Sequence, residues 1–470
     1  MKGRSAAAFA ALVVAVTGVG LAGPAAGSPL AESSAVAAPE VDAAANLTVS
    51  GSLLYEFDSA GSLAPVTTGN GLVRFWLQVP GQFELVRTVD TFGPTGNWST
   101  AGLAAGTYVL EFISFDGPTP TRHYWYDQQF FSEATKVSFV DGQSYTFTKV
   151  VLEPRTLNYS RIEGPSRFET AVEISQTIWP STAGGGITYV YIINGLSYAD
   201  ALSAGPAAAT RGGVVLPVLK NSIPSVVLDE IERLDPQKII VVGSSLAISE
   251  SVKNTLEAYV NHPDDVYRSW GANRYETSYA LVQDAFSVSN TDTVFVSTGR
   301  NFPDALAAGP AANHLRGPVL LVDGLSSGIT ADQRQLLKDL GRPDIVITGS
   351  ERAVSASMAA SLQSTLGDGR RVTRLAGADR FDTARVINEF AFGAPETYPD
   401  YAFIANGLGY ADALTGGPLA SKLGAPMYLS RPECLSSAVY GDLLDLIVTE
   451  VYALGSPLAL SDRVLDGDRC

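Results

Sequence analysis

Histidine, cysteine and positive charge are scarce in this chain, and each shortage removes a class of function. The three histidines, His123, His262 and His314, fall at no repeated position. No His-Glu-x-x-His helix occurs. Lysine and arginine number 32 against 48 acidic residues, a net charge of −16. Nonspecific binding to nucleic acid or to an anionic membrane needs a basic face that such a chain does not supply. Beyond the N-terminus no run is long and apolar enough to span a bilayer. Two cysteines, Cys434 and Cys470, stand 36 residues apart. Joined, they would contribute roughly 3–4 kcal/mol by closing that loop in an exported protein; two unpaired thiols are the alternative.

Export is expected from the first residues. Met1-Lys2-Gly3-Arg4, then an Ala/Val/Leu run from about Ala6 to Leu21, reads as the charged and apolar regions of a secretory signal peptide. Cleavage is expected between Ala22 and Ala38, so residues 1–38 are signal peptide and linker. With no cysteine there to take a lipid, the mature protein is expected to be secreted and unanchored by membrane.

What the chain has is repetition. Arg161, Gly164, Arg167, Phe168, Glu169 and Thr170 return as Arg268, Gly271, Arg274, Tyr275, Glu276 and Thr277, and again as Arg374, Gly377, Arg380, Phe381, Asp382 and Thr383. A second phrase, Tyr198-Ala199-Asp200-Ala201-Leu202, recurs as Phe302-Pro303-Asp304-Ala305-Leu306 and Tyr410-Ala411-Asp412-Ala413-Leu414. Gly243-Ser244, Gly349-Ser350 and Gly455-Ser456 close the units at intervals of 106 residues. That period is long enough for a small domain. Continuous apolar strands such as Ile239 to Val242 alternate with amphipathic segments, the pattern of a parallel sheet covered on both faces. In the first unit helices are expected at about 199–210, 224–234 and 249–259.

Residues 46–154 differ. Val73-Arg74-Phe75-Trp76-Leu77 and Thr107 to Phe112 alternate apolar and polar between turns, which predicts an antiparallel all-β sandwich. The order of Gly51, the turn at Gly93 to Asn97, Gly102 to Tyr108 and Gly142 resembles the prealbumin-like, carboxypeptidase-regulatory-like sandwiches of bacterial surface proteins. The aromatic group Tyr124, Trp125, Tyr126, Phe130 and Phe131 is either a sugar-stacking face or packing.

The three-part phrases resemble the cell wall-binding repeat 2 family over about 310 residues. That resemblance implies three α/β, Toprim-like modules with parallel sheets in a pseudo-threefold arrangement. It also implies noncovalent attachment to a bacterial cell wall polysaccharide or other anionic secondary polymer. The expected domains are thus 46–154, then repeats at 156–263, 264–370 and 371–470. An extracellular adhesin, with the sandwich binding a protein or glycan, is the competing function. No enzyme activity, cofactor or metal is expected. A Toprim catalyst needs a Glu and an Asp-x-Asp pair at strand ends for magnesium, whereas Asp466-Gly467-Asp468 is a tail and Asp442 and Asp445 share a helix.

Candidate polymer contacts follow from chemistry. Arg167, Arg274 and Arg380 offer a fork that fits phosphate or carboxylate oxygens. Backbone N–H groups near Gly195, Ser197, Asn301 and Gly407 lie at expected helix starts. Against this, the arginines have acids two residues away, so internal or intermodule ion pairs with Glu169, Glu276, Asp382 or the helix-start aspartates Asp200, Asp304 and Asp412 are an equal alternative. Asp200, Asp304 and Asp412 suit first-turn capping, as in Ser197-x-x-Asp200 and Asn301-x-x-Asp304, better than contact with an anion.

Overall fold

The structure, a computed structural model, describes residues 14–17, 47–56, 63–66, 71–79, 82–92, 95–114, 121–124, 136–140, 143–152, 157–181, 186–366, 369–393, 399–466 and 469–470. They belong to two compact units, Met1–Thr156 and Leu157–Cys470. Most of the expected leader lies outside the described residues, as do Trp125, Tyr126, Phe130 and Phe131.

In the first unit every described element is a strand: β1 (Val14–Thr17), β2 (Thr48–Glu56), β3 (Leu63–Pro65), β4 (Gly71–Val79), β5 (Gln82–Asp90), β6 (Asn97–Ala101), β7 (Gly106–Ser114), β8 (Thr121–Tyr124), β9 (Val137–Phe139) and β10 (Ser144–Leu152). One sheet runs β1-β10-β2-β3 with β6 on β2, the other β5-β4-β7-β8 with β9 on β7. Alternation aims Val73, Phe75, Tyr108, Leu110 and Phe112 into one core around Trp98, which is 1% exposed. Phe75, Phe112 and Phe147 surround its indole at 5.8–6.1 Å between centroids. The pairing is not wholly antiparallel as expected, because β10 runs parallel to β2. Strands this far apart in sequence need no tight turn between them, so either direction is open. β1, from the apolar run of the expected leader, is an edge strand, so the rest of its sheet does not pair through it.

The second unit holds three four-stranded parallel sheets. The first contains β12 (Tyr189–Asn194), β13 (Val214–Val218), β14 (Lys238–Val242) and β15 (Val266–Ser269), in the order β13-β12-β14-β15. The second contains β16 (Thr293–Thr298), β17 (Val319–Val322), β18 (Asp344–Thr348) and β19 (Val372–Leu375), in the order β17-β16-β18-β19. The third contains β20 (Tyr401–Asn406), β21 (Met427–Ser430) and β22 (Glu450–Leu454), and is completed by β11 (Asn158–Ile162), in the order β11-β22-β20-β21. Sequence repeat and sheet are therefore out of phase. Boundaries at 263/264 and 370/371 fall just ahead of β15 and β19, strands that begin one repeat and finish the sheet of the repeat before. β11 does the same for the last repeat, and the three modules close into a ring.

The helices of the second unit include α3 (Ser225–Leu234), α4 (Glu250–Leu256), α7 (Ala331–Asp339) and α8 (Ala356–Gln363), and three others meet at the ring's centre. α2 (Ala204–Thr210), α6 (Pro303–His314) and α10 (Ala411–Lys422) pack on one another. Their Ala, Gly and Pro content permits that approach: a Cβ on Gly309 would come within 3.8 Å of the Pro206 ring. α2 starts at Ala204 and not near Ala199 as expected; residues 199–203 form turns. Outside this centre, α1 (Arg167–Ile178) of the first repeat packs on α10 of the third. α5 (Arg274–Ala285) of the second packs on α2 of the first, and α9 (Arg380–Phe392) of the third on α6 of the second. In the third repeat α11 (Ser437–Asp445) follows β21, and Cys434 and Cys470 are joined, with Cα atoms 5.6 Å apart.

Candidate functional site

The repeated residues converge on the seams of the ring. Arg161, on β11, donates to the Gly455 carbonyl at 2.6 Å and to Asp462 at 3.0 Å. Arg268 bonds the Gly243 carbonyl at 2.8 Å and Glu250 at 2.9 Å, and Arg374 bonds the Gly349 carbonyl at 2.9 Å. Each first arginine thus holds the strand end of the preceding sheet. The accepting glycines have φ of +94°, +95° and +96°, a backbone that excludes most side chains. The space a Cβ would occupy there is taken by the carboxylates of Asp200, Asp304 and Asp412; on Gly243 it would lie 2.9 Å from Asp200 Oδ2.

That placement corrects the capping expectation. Ser197 and Asn301 are not the residues ahead of the helices; Ser203, Phe302 and Tyr410 are, and none makes a side-chain cap bond, while Asp304 and Asp412 lie in the first turns with their carboxylates against the strand-end glycines. Burial pushes Asp304 and Asp412 up from the ordinary carboxylate range, opposed by Arg380 and Arg167 respectively.

The remaining motif residues cap and fasten α1, α5 and α9. Asn273 and Asp379 accept from the amides of the first helical turn, and Ser166 accepts from Phe168. Thr170, Thr277 and Thr383 accept from the N–H of Gly164, Gly271 and Gly377 at 3.0–3.2 Å. Glu276 accepts from Ala272 N–H, and Asp382 from Ala378 N–H, each at 2.9 Å. Glu169 accepts from the Ser166 hydroxyl, which holds its carboxyl below the ordinary range. The Ala378 N–H and then Arg385 lower Asp382 in the same way.

Arg167, Arg274 and Arg380 sit at the seams between repeats. Each is half-buried and donates to a carbonyl of its own repeat: Gly195 at 2.6 Å, Gly299 at 2.7 Å and Gly407 at 2.9 Å. Each also lies over a ring of the neighbouring repeat. Arg167 is 5.7 Å from Tyr410, Arg274 5.8 Å from Tyr198 and Arg380 5.8 Å from Phe302. Those three rings contact one another edge-on, with centroids 5.3, 5.4 and 5.9 Å apart. No carboxylate is within ion-pair distance of these arginines among the described residues, so the pairing with Glu169, Glu276 or Asp382 does not form, and the helix-start aspartates Asp412 and Asp304 meet Arg167 and Arg380 only at longer range. Among the described residues their Nη2 groups have no hydrogen-bond partner.

Most of the backbone N–H groups expected to face an anion are engaged within the fold. Gly195, Gly299 and Gly407 donate to the Val218, Val322 and Ser430 carbonyls. Leu196, Arg300 and Leu408 donate to Asn194, Thr298 and Asn406 side chains. Ser197 N–H donates to the Asn194 carbonyl, while the side chains of Ser197 and Asn301 accept from Ala199 and Phe302 N–H within their own loops. The aromatic that precedes each Asp-Ala-Leu was visible at every repeat, but its role at a three-way seam needed the neighbouring repeats in place. Among the described residues no cluster suits a metal ion, and no helix is long and apolar enough to cross a membrane.

A closed ring of three parallel-sheet modules, each finishing the sheet of its predecessor, defines a tandem-repeat α/β protein. The chain belongs to the cell wall binding domain 2 (CWB2) family, whose pattern matches residues 161–253, 268–359 and 374–465. It is a cell wall-associated protein. An amidase enhancer of Bacillus subtilis (strain 168) is 29% identical over 308 residues, covering 65% of this chain and 39% of that protein. N-acetylmuramoyl-L-alanine amidase LytC of the same strain is 25% identical over 305 residues, covering 65% and 56%. The chain thus spans about half or less of these relatives. Cwp6 from Clostridium difficile shares the fold, with a TM-score of 0.59 at 19% identity over 86% of this chain and 64% of that one. Cwp8 from the same organism gives 0.57 at 22%, over 75% and 57%.

Proposed function

We propose that residues 157–470 hold an exported protein noncovalently on an anionic secondary polymer of the bacterial cell wall, and display the N-terminal unit as a prealbumin-like sandwich. The observation that carries this is the family match to all three repeats. Attachment to anions is supported by the Arg167, Arg274 and Arg380 set, whose Nη1 groups are held by carbonyls while Nη2 remains for a ligand oxygen. Export is supported by the leader-like N-terminus and by the Cys434–Cys470 pair. No amidase activity is proposed, since the repeated carboxylates cap helices or occupy the glycine sites.

The mature protein should sediment with purified walls and release at high salt, which screens exposed ion contacts. Walls stripped of secondary polymer but retaining peptidoglycan should fail to retain it. Equal retention by stripped walls would overturn the polymer assignment.

A further inference from the structure

The third repeat carries a groove lined by two arginines that its siblings do not share. It has a volume of about 330 Å³ and lies between the first turns of α9 and α11, beside the Cys434–Cys470 disulfide. Arg385 and Arg431 line it. Counting from the arginine that starts each long helix, Arg385 corresponds to Val172 and Tyr279. Counting from the end of the strand paired with the central one, Arg431 corresponds to Leu219 and Asp323. Both guanidinium groups are therefore peculiar to this repeat.

The charges in the groove cancel locally. Arg385 lies 3.0 Å from Asp382 and 3.4 Å from Asp442. Arg431 is 3.8 Å from Asp379 and 4.9 Å above the Phe381 ring. Leu429, Ala438 and Val439 add apolar lining. A bare anion would meet two carboxylates here, and a bare cation two guanidinium groups. Hydroxyls suit the arrangement, because each both donates and accepts, and carboxylates and guanidinium groups stand side by side to serve them. The apolar lining suits the C–H face of a sugar ring. The volume falls at the lower end of small-molecule sites, about 300–1,000 Å³.

We propose that this groove binds an uncharged pyranose unit of the wall polysaccharide. The inference rests on the wall-attachment function and adds a saccharide class to it, at a place separate from the Arg167, Arg274 and Arg380 set.

Saturation-transfer NMR on the full chain tests it, with glucose, mannose and N-acetylglucosamine as probes and glucuronate and glucosamine as charged controls. At least one neutral sugar should receive saturation. Ala438→Trp, which fills the groove, and Arg431→Gln, at an exposed side chain, should each abolish that transfer. Each should also lower wall retention about tenfold, the equivalent of roughly one charge-assisted hydrogen bond. Unchanged melting temperatures would show that both variants fold. Transfer to glucuronate or glucosamine alone overturns the neutral class. Transfer to no probe, with both folded variants retained on walls like the parent, overturns the groove while leaving wall attachment intact. A parent that transfers to a neutral sugar and loses it in Ala438→Trp, yet never sediments with walls, refutes the attachment function and keeps the groove.

Discussion

Asn158 and Glu450, 292 positions apart in the chain, share a 2.9 Å hydrogen bond. It sits at the start of the register that aligns β11 with β22, the contact by which the first repeat completes the last sheet. The ring therefore depends on a short strand that contains none of the buried apolar run typical of its neighbours; of its five residues, only Ile162 is buried.

Breaking that strand should unfasten the ring. Ser160→Pro removes a ladder donor opposite Tyr452 and should cost about 3 kcal/mol. Calorimetry should show a lower melting temperature for the second unit. An unchanged transition would mean that closure through β11 contributes little.

Arginine replacement should register as a seam defect. Arg167→Gln loses a carbonyl bond and a ring contact, an expected cost of about 2 kcal/mol. That is less than the roughly 3–5 kcal/mol of an orphaned buried carboxylate. Denaturant titration of the three single variants measures it, and a loss near the larger figure would point to a carboxylate partner.

Gly455→Ala should be among the most damaging single changes, on the order of 2–4 kcal/mol, because alanine disfavours φ near +96° and its Cβ would displace the Asp412 carboxylate. Combining it with Asp412→Ala should recover part of the loss. A double-mutant cycle with no coupling would separate the two residues.

Acidification should first stabilise the ring. Burial raises Asp442 to about 6 and moves Asp304 and Asp412 in the same direction. In the native state these groups bind protons that the unfolded chain does not yet hold, so stability rises as pH falls through about 6 toward the ordinary value of 3.8. Glu169, Asp323 and Asp382 are lowered instead, and their contribution is lost only at more acid pH. Melting temperature should thus be higher at pH 5 than at pH 7, roughly the window these shifts define. Asp442→Asn should flatten part of that slope, and a slope of the opposite sign would contradict the burial of these carboxylates.

The parallel-sheet modules were legible because Ile239 to Val242 and its counterparts are unbroken apolar runs at a fixed spacing. The seam chemistry was not, because a motif shows which residues recur and not which neighbour each one meets. Arg167 and Glu169 are two positions apart, yet their partners are Gly195 with Tyr410, and Ser166. Asp304 had the spacing of a helix cap, but its carboxylate lies against Gly349, at φ +95° just past the end of β18. The phase shift between repeat and sheet was hidden for a similar reason: the period of a cyclic pattern is the same wherever the count begins.

β11 also sets how the ring meets mechanical load. It is the ring's first strand, so tension arriving from the N-terminal unit enters at Asn158, and β11 lies parallel and in register with β22 from Asn158 opposite Glu450 to Ile162 opposite Leu454. A pull along the strand axis loads those hydrogen bonds together, in shear, and a sideways pull would open them one at a time. The strand that closes the ring is thus also the one that takes up load arriving along the chain from the N-terminal unit.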